Sequence, residues 1–453
     1  MRLLRSASSA ACALLLGASS VQALEVDLTS AESIKQAAST LAYGMVKYYT
    51  GNNTGDVPGN LPAPYYWWEA GAMFGALIDY WYYTGDTTYN EITTQAMLHQ
   101  VGPNVDYMPP NQSRTLGNDD QAFWGMAALS AAEAKFPNPP EDEPQWLELA
   151  MAVFNTQAPR WDNQTCGGGL KWQIFTFNNG YNYKNTISNG CFFNMAARLA
   201  RYTGNTTYSD WAERMWDWTA TIGLMSPQYY FYDGTDDTIN CTEVNHIQWS
   251  YNAGVYLYGA AVMWNITQEE KWRVRTQGIL DGIEPIFFHP EVENVMFEVA
   301  CEPNGKCNVD QKSFKAYLSR WMAASTKVAP WCHDWVMNKL RISATAAARI
   351  CTGGPDGKQC GLKWYTGEFD GNLGVGEQMS VLEVVQSNLI DLVEGPVTNT
   401  TGGISKGDYT AGSQSDSTPL TFDTITTGDK VGAGFLTAIV LLGIVGGAWW
   451  MVA

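Results

Sequence analysis

Basic residues are scarce in this sequence, with 27 lysines and arginines against 45 aspartates and glutamates and a formal net charge of −18. So acidic a chain repels phosphate backbones, which excludes nucleic acid as an expected partner. Histidine is rarer still, with four residues in the chain. No two of the nine cysteines have Cys-x-x-Cys spacing. The sequence therefore lacks the ligand patterns of zinc centres and redox motifs, and we expect neither a metal nor a cofactor.

Between residues 30 and 388 there is no Pro/Gly/Ser-rich break, and no sustained run alternates polar and apolar residues as a strand does. We therefore expect one large all-α domain. Ten segments have the apolar periodicity of helices: 31–49, 69–83, 121–135, 145–157, 190–202, 209–222, 252–264, 269–286, 312–326 and 336–350.

A short internal repeat suggests how these helices are arranged. Segments 83–89 and 202–208 both read Tyr-Thr-Gly, then one polar residue, then Thr-Thr-Tyr. In each, the glycine ends one helix and the next helix follows at once. Repeated helix pairs that close on themselves predict an (α/α)6 barrel, a toroid of six hairpins whose loops form a funnel for the functional site.

The N-terminal 23 residues carry Arg2 and Arg5, an apolar run over 10–18, and small residues before a cleavage position at Ala23. The run is too short to cross a bilayer, so residues 1–23 are predicted to be a secretory signal peptide. The main domain is then expected over residues 24–392.

The C-terminal region combines a Ser-, Thr- and Gly-rich linker, 393–430, with an apolar tail, 431–453. No charged residue follows the tail, which is typical of a GPI-attachment signal. An uncleaved transmembrane span is the alternative, although such a span normally has basic residues on its cytoplasmic side. We expect attachment between Ser413 and Gly428 and a location at the cell surface.

Cysteines and glycosylation sequons agree with secretion. Cys12 leaves with the signal, and an even number of remaining cysteines predicts disulfides with open connectivity, although 301–307 and 351–360 could each close a short loop. These cysteines are Cys166, Cys191, Cys241, Cys301, Cys307, Cys332, Cys351 and Cys360. Seven Asn-x-Ser/Thr sequons are predicted glycosylation sites: Asn52, Asn111, Asn163, Asn205, Asn240, Asn265 and Asn399.

The strongest local signal for chemistry is Asn118-Asp119-Asp120-Gln121 at the start of a predicted helix. A plain structural explanation exists, because Asn118 can cap the helix and acids in the first turn complement its dipole. The functional interpretation is that burial separates the pKa values of two adjacent carboxyls, so that one is ionised and the other protonated. Cleaving a glycosidic bond requires such a pair.

Aromatic residues make up 13% of the chain, and their flat apolar faces can support sugar rings. Helix capping, turn formation or core packing could equally explain several polar and aromatic residues in these segments. Lys315 and Arg320 are interpreted as structural charges. The candidate substrate-binding residues are Trp68, Glu69, Asn118, Trp124, Trp172, Asn189, Asn194, Asp233, Tyr251 and Asn252.

Five motifs together resemble glycoside hydrolase family 76 over about residues 28–392. They are Trp-Trp-Glu-Ala-Gly-Ala-Met at 67–73, Asn-Asp-Asp-Gln-x-x-Trp at 118–124, Gly-Gly-Gly-x-x-Trp at 167–172, Asn-Gly-x-x-x-Asn at 189–194 and Tyr-Asn-x-Gly at 251–254. The resemblance implies an (α/α)6 barrel and a retaining mechanism, with Asp119 as nucleophile and Asp120 as acid/base. The family's founding activity is endo-α-1,6-mannanase.

With its signal and tail, the chain is most similar to the fungal cell-wall branch of that family. The resemblance implies a transglycosidase with α-mannose-containing glycans of a GPI core or mannan as donor, wall β-glucan as acceptor, and membrane attachment through a GPI lipid. Two alternatives remain: an endo-α-1,6-mannanase that hydrolyses its substrate, and a non-catalytic wall mannan-binding protein. The intact Asp119 and Asp120 argue against the second.

Overall fold

The structure, a computed structural model, describes residues 23–112, 114–292, 294–413 and 427–452. Most of the predicted signal peptide and of the predicted attachment region therefore lies outside the described residues. Within them there are thirteen α-helices: α1 (Ala31–Val46), α2 (Trp67–Thr84), α3 (Asn90–His99), α4 (Asn118–Ala134), α5 (Trp146–Gln157), α6 (Thr186–Thr203), α7 (Thr206–Thr221), α8 (Ser250–Thr267), α9 (Glu270–Phe287), α10 (Phe314–Val328), α11 (His333–Arg349), α12 (Val375–Gln386) and α13 (Thr427–Val452).

The first twelve helices form two concentric layers. Helices α2, α4, α6, α8, α10 and α12 pack side by side, and α12 packs against α2 to close the ring. The alternate helices α1, α3, α5, α7, α9 and α11 lie outside it. Six inner–outer pairs confirm the predicted (α/α)6 barrel.

The two layers differ in their burial pattern. Every residue of α12 is buried, as expected for a helix covered on all sides. Outer helix α7 buries only one stripe, formed by Tyr208, Ala212, Met215, Trp216, Trp218 and Thr219. The sequence predicted ten of the twelve barrel helices, five inner and five outer. It missed α12, which lacks a polar face, and the short, Thr-containing α3.

The predicted repeat occurs at equivalent corners of the barrel, where inner helices α2 and α6 turn into their outer partners. Gly85 and Gly204 end these helices with φ of 76° and 74°, values that glycine adopts without strain. The preceding threonines bond back into their helices, Thr84 Oγ1 to Tyr80 O at 2.6 Å and Thr203 Oγ1 to Leu199 O at 2.7 Å. The two corners are therefore built in the same way.

A small antiparallel sheet with order β1–β2–β3 lies beside the ring. Its strands are β1 (Tyr183–Asn185), β2 (Gly234–Asp236) and β3 (Val244–Asn245). The sequence did not predict them, because strands of two or three residues are too short to show alternation. Strand β1 runs directly into α6, whose N-cap is Asn185.

The described part of the chain contains three disulfides: Cys166–Cys241, Cys301–Cys307 and Cys351–Cys360. The expectation that all eight cysteines pair is wrong, because Cys191 and Cys332 are buried free thiols. Cys191 lies inside α6 and Cys332 in the turn before α11, and both sites are packed as core.

Lys315 and Arg320 are structural, as predicted. Lys315 is buried, 2.8 Å from Glu302, and donates a hydrogen bond to the carbonyl of Leu362. Arg320 lies 2.6 Å from Asp79 and 2.7 Å from Glu383, and joins inner helices α10, α2 and α12.

The segment after α12 differs from the free linker that its composition predicts. Residues 393–413 lie along the barrel wall and bond to it, as when the Val397 amide donates to Glu133 O at 2.9 Å. Farther on, α13 is the one helix among the described residues whose length and composition would allow it to cross a membrane. The apolar window covers Lys430–Gly447.

Candidate active site

All six inner helices begin at the same end of the barrel, and a cavity of about 290 Å³ opens there. Residues from the helix starts and the preceding loops form its wall, so the ring itself positions the site. The lining residues are Trp68, Asp119, Asp120, Phe123, Trp172, Tyr183, Asn185, Asp233, Ile247, Trp249, Tyr251, Asn308, Asp310, Gln311 and Phe314.

Asp119 and Asp120 lie in the first turn of α4. The Asp120 carboxylate accepts a 2.7 Å hydrogen bond from the Gly117 amide, and its own amide donates to Asp119 Oδ1 at 3.1 Å. Asn185, on the neighbouring inner helix, places its amide nitrogen 3.5 Å from Asp119 Oδ2. The helix start thus fixes both carboxyls, and one of them also serves as a cap.

Burial raises the pKa of both carboxyls above the ordinary aspartate value. The Asp119 charge raises the pKa of Asp120 further, whereas hydrogen bonds from backbone amides and Asn185 favour the ionised form of Asp119. The pair therefore loses its first proton from Asp119, while Asp120 keeps its proton to higher pH. This is the division between an ionised and a protonated carboxyl that acid-assisted glycosyl transfer requires.

Opposite the pair, Asp233 is held by three donors. It accepts hydrogen bonds from Tyr183 Oη at 2.6 Å, Trp249 Nε1 at 2.9 Å and Asn245 Nδ2 at 3.3 Å. Burial nevertheless raises its pKa. A carboxyl bonded in this way has one orientation and can bind a sugar hydroxyl or a cation.

Two aromatic pairs shape the rest of the cavity. Tyr251 stacks on Phe314 with ring centroids 3.7 Å apart, and Trp68 packs against Phe123 at 4.8 Å. The Trp68 indole also donates to Asp310 at 2.9 Å, and burial raises the pKa of that carboxyl.

A second cavity of about 440 Å³ adjoins the first and shares Trp68, Asp120, Trp172 and Asp310 with it. Tyr65 and Tyr66 line its far side. Asp119 lines only the first cavity, whereas Asp120 faces both. The site is therefore a cleft that continues on both sides of the acidic pair.

Comparison with known proteins identifies the family to which this chain belongs. Residues 33–400 match Glycosyl hydrolase family 76. The chain belongs to this family. It is accordingly a glycoside hydrolase, as its motifs predicted.

Curated relatives and solved structures agree with this family 76 assignment. The chain is 49% identical to mannan endo-1,6-alpha-mannosidase DCW1 of Saccharomyces cerevisiae over 95% of each chain, and 43% identical to DFG5 of the same organism over 95% and 94%. The crystal structure of Dfg5 from Chaetomium thermophilum in complex with glucosamine is 50% identical, with a TM-score of 0.84, and the match covers 87% of this chain and 99% of that one. An alpha-1,6-mannanase of Salegentibacter shares the fold, at 18% identity and a TM-score of 0.63 over 79% of this chain and 99% of that one.

Four of the ten predicted binding residues of this family 76 protein line the cleft: Trp68, Trp172, Asp233 and Tyr251. The other six do not line either cavity among the described residues, which corrects the expectation that they contact substrate. Trp124 is fully buried and stacks on Trp67 at 5.1 Å. Glu69 is also fully buried, in the first turn of α2, where burial raises its pKa well above the ordinary range.

The four asparagines among these six are buried, and three of them hold the framework behind the cleft. Asn118 donates to Lys171 O at 2.8 Å and ties α4 to the glycine-rich loop. Asn189 accepts from the Leu170 amide at 2.7 Å and fixes the same loop. Asn194 donates to Val255 O at 3.1 Å across to α8, and Asn252 is fully buried inside α8. The side chains of Asn118, Asn189 and Asn194 therefore position segments behind the cavity.

The sequence missed Asp310, which lies in the turn before α10, and Asn185, the N-cap of α6. It also missed Trp249, the N-cap of α8, which lines the cavity. A usable signal existed in their positions. Each lies just before an inner helix. Gly117 has the same position before α4, the helix that carries the aspartate pair.

Proposed function

We propose that this chain is a retaining transglycosidase that acts on the α-mannosidic core glycan of GPI anchors and transfers it to wall β-glucan. The observation that carries the proposal is an aspartate pair at the junction of two adjoining cavities, with Asp119 facing the first cavity and Asp120 facing both. The relatives named mannan endo-1,6-alpha-mannosidase support an α-mannosidic donor.

The reaction proceeds in two displacements. Asp119 attacks the anomeric carbon while Asp120 gives its proton to the leaving oxygen, so the glycosidic bond breaks and a glycosyl ester forms on Asp119. Asp120 then takes a proton from an acceptor hydroxyl as that oxygen attacks the ester. This step releases Asp119 as carboxylate and restores the proton on Asp120.

The second cavity favours transfer over hydrolysis. It lies on the side of Asp120, where the acid/base meets the leaving group and then its replacement. Tyr65, Tyr66, Trp68 and Trp172 line it with aromatic surface suited to a sugar acceptor. A bound acceptor competes with water for the glycosyl ester.

The charge of the cleft favours a GPI glycan over neutral mannan. Four carboxyls line the cleft, and two of them, those of Asp120 and Asp310, face the second cavity, on the side of the leaving group. The described lining of neither cavity includes a lysine or arginine. A GPI core glycan joins mannose to a glucosamine with a free amino group, whose ammonium form carries a positive charge. The Chaetomium Dfg5 structure, 50% identical to this chain, is a complex with glucosamine.

Endo-α-1,6-mannan hydrolysis is the second candidate, favoured by relatives named mannan endo-1,6-alpha-mannosidase. Incubation with an α-1,6-mannooligosaccharide separates the two: longer products mean transfer, and shorter products alone mean hydrolysis. Complete absence of reaction with mannosides and with mannosyl-glucosamines would contradict both and favour a mannan-binding protein.

A matched donor pair tests the charge argument. We expect a mannosyl-glucosamine with a free amine to react faster than its N-acetylated form, and Asp310→Asn to reduce that preference. Equal rates for the two donors in the unmodified protein would remove the support for a GPI glycan.

We also propose secretion and attachment to the cell surface through a GPI lipid. The helix α13 is apolar and its described side chains are exposed, which supports a C-terminal signal that is recognised and replaced by the GPI lipid.

A further inference from the structure

The segment 393–413, which we call the strap, takes an unexpected route over the barrel. Helix α12 ends at Gln386, at the end of the barrel opposite the active site, because all inner helices begin at the site. A chain that continued directly from there would leave the protein on the far side from the cleft. The strap changes the point of exit.

The strap begins at the far end of the barrel. Its Val397 amide bonds to Glu133 O, near the C-terminus of α4, and its Asn399 amide to Tyr202 O, near the C-terminus of α6. Both of those helices start at the active site, so these contacts lie at their distant ends.

From there the strap climbs the outside of α5. The Ser405 hydroxyl accepts from the Leu147 amide at 2.9 Å, in the first turn of α5. Asn155, in the last turn, donates to Tyr409 O at 3.0 Å and Ala411 O at 2.8 Å. The end of α5 is at the active-site end, because Gln157 donates to Asn118 O at 2.7 Å, directly before the aspartate pair.

Close packing fixes the upper end of the strap. Gly412 has a φ of 72°, and a Cβ there would lie 2.6 Å from Ala152 O. Ser405 and Ala411 are both buried. Since its contacts with α5 run from Leu147 to Asn155, the strap carries the chain about 12 Å toward the active site at a rise of about 1.5 Å per residue.

We propose that the strap sets the orientation of the enzyme on the membrane, with the mouth of the cleft facing the lipid surface. This inference rests on the proposed GPI attachment between Ser413 and Gly428. The strap ends at Ser413, so at most about 15 residues lie between it and the lipid. A fully extended chain of that length spans roughly 50 Å. The partner surface is the bilayer itself, with donors anchored in it by their own GPI lipids.

The orientation can be measured on the full-length, membrane-bound protein. Asp56→Cys places a fluorophore in the exposed loop after α1, at the cleft end, and Glu91→Cys places one at the exposed start of α3, at the opposite end. A quencher lipid at the bilayer surface should quench the Asp56→Cys label severalfold more strongly. Equal quenching, or stronger quenching of the Glu91→Cys label, would overturn the proposal.

Displacing the strap tests its role directly. The double variant Asn155→Ala and Gly412→Ala removes two hydrogen bonds and creates a clash, and hydrogen exchange over 406–413 reports release of the strap. Gly402→Ala is the matched control, because its φ is also positive, at 102°, but a Cβ there meets nothing within 4 Å. We expect the difference in quenching to shrink in the double variant and to persist in the control.

The same variants separate this inference from the proposed function. Transfer to free oligosaccharides should be unchanged in both, since neither change touches the cleft, whereas transfer from membrane-anchored donors should fall severalfold in the double variant. An unchanged quenching difference with a released strap would contradict the role of the strap. Failure of phosphatidylinositol-specific phospholipase to release the unmodified protein would instead contradict the GPI anchor.

Discussion

Asp119 and Asp120 are neighbours in sequence, yet their surroundings give them different chemistry. Asp119 accepts hydrogen bonds that favour its charge, whereas Asp120 meets that charge directly and keeps its proton. A bare Asp-Asp at a helix start is usually a capping feature, and Asp120 does accept the Gly117 amide. The Asp120 carboxyl therefore caps the helix and is also the member of the pair whose pKa is raised by its neighbour's charge.

The raised pKa values predict a bell-shaped pH dependence of kcat/KM. The acid limb follows ionisation of Asp119 and should lie above the ordinary aspartate value of about 3.9, because burial raises the pKa of this carboxyl. The alkaline limb follows loss of the Asp120 proton. With an activated donor, Asp120→Asn should lose the alkaline limb and keep the acid limb; loss of the acid limb instead would reverse the assignment.

The corrected positions of two tryptophans predict opposite phenotypes. Trp172 lines both cavities, so Trp172→Ala should raise KM with little change in the free energy of unfolding. Trp124 is fully buried, so Trp124→Ala should cost about 3–5 kcal/mol of unfolding free energy. Steady-state kinetics and chemical denaturation of both variants test this, and a stable Trp124→Ala with impaired binding would place that residue back in the site.

At the scale of helices, the barrel converts six helix starts into one site. The short segments just before inner helices carry Asn185, Trp249 and Asp310, and the aspartate pair lies in the first turn of α4. Outer helices bring the chain back from the far end to the active-site end, so every second loop lies at the far end, away from the site.

The sequence predicted most of this architecture, but not which polar residues reach the cleft. Five of the six outer helices and the 83–89 and 202–208 corners are local patterns, and the sequence predicted them. Asn189 and Asp233 have equally polar sequence surroundings, yet Asn189 is buried and fastens a loop while Asp233 faces the cavity. That difference depends on contacts between distant segments, which no local pattern encodes.

The charges that join inner helices predict a large effect on stability. Arg320→Ala leaves Asp79 and Glu383 without their buried partner and should cost about 3–5 kcal/mol of unfolding free energy. The control is Arg341→Ala, because Arg341 is half exposed and 3.9 Å from Asp391, and it should cost about 0–1 kcal/mol. Chemical denaturation compares them, and equal costs would contradict a structural role for the Arg320 network.

At the scale of the whole molecule, the disulfides concentrate near the cleft. Cys166–Cys241 ties the glycine-rich loop to the β2–β3 hairpin, and Cys301–Cys307 closes the loop that leads to Asp310. Secreted proteins can keep such bonds oxidised. These two cross-links therefore restrain loops that carry residues of the site wall.

Glycosylation predicts a measurable change in mass. Asn52, Asn111, Asn163, Asn240 and Asn399 are exposed, and the amide of Asn265 is engaged with Arg201 and Val328. The secreted protein should migrate above its polypeptide mass and shift downward after N-glycan removal, with Asn265 the least occupied sequon by peptide mapping. Unchanged mobility would contradict extensive N-glycosylation.

The central claim is that Asp119 carries the sugar while Asp120 handles the proton, and trapping the intermediate tests it most directly. Asp120→Asn should keep the fold and accept an activated α-mannosyl donor, which needs no proton for the first step, while the slowed second step lets the glycosyl-enzyme accumulate. Mass spectrometry should find one added glycosyl unit on Asp119, and none after the same treatment of Asp119→Asn. A sugar on another residue, or full activity of either well-folded variant, would contradict the account.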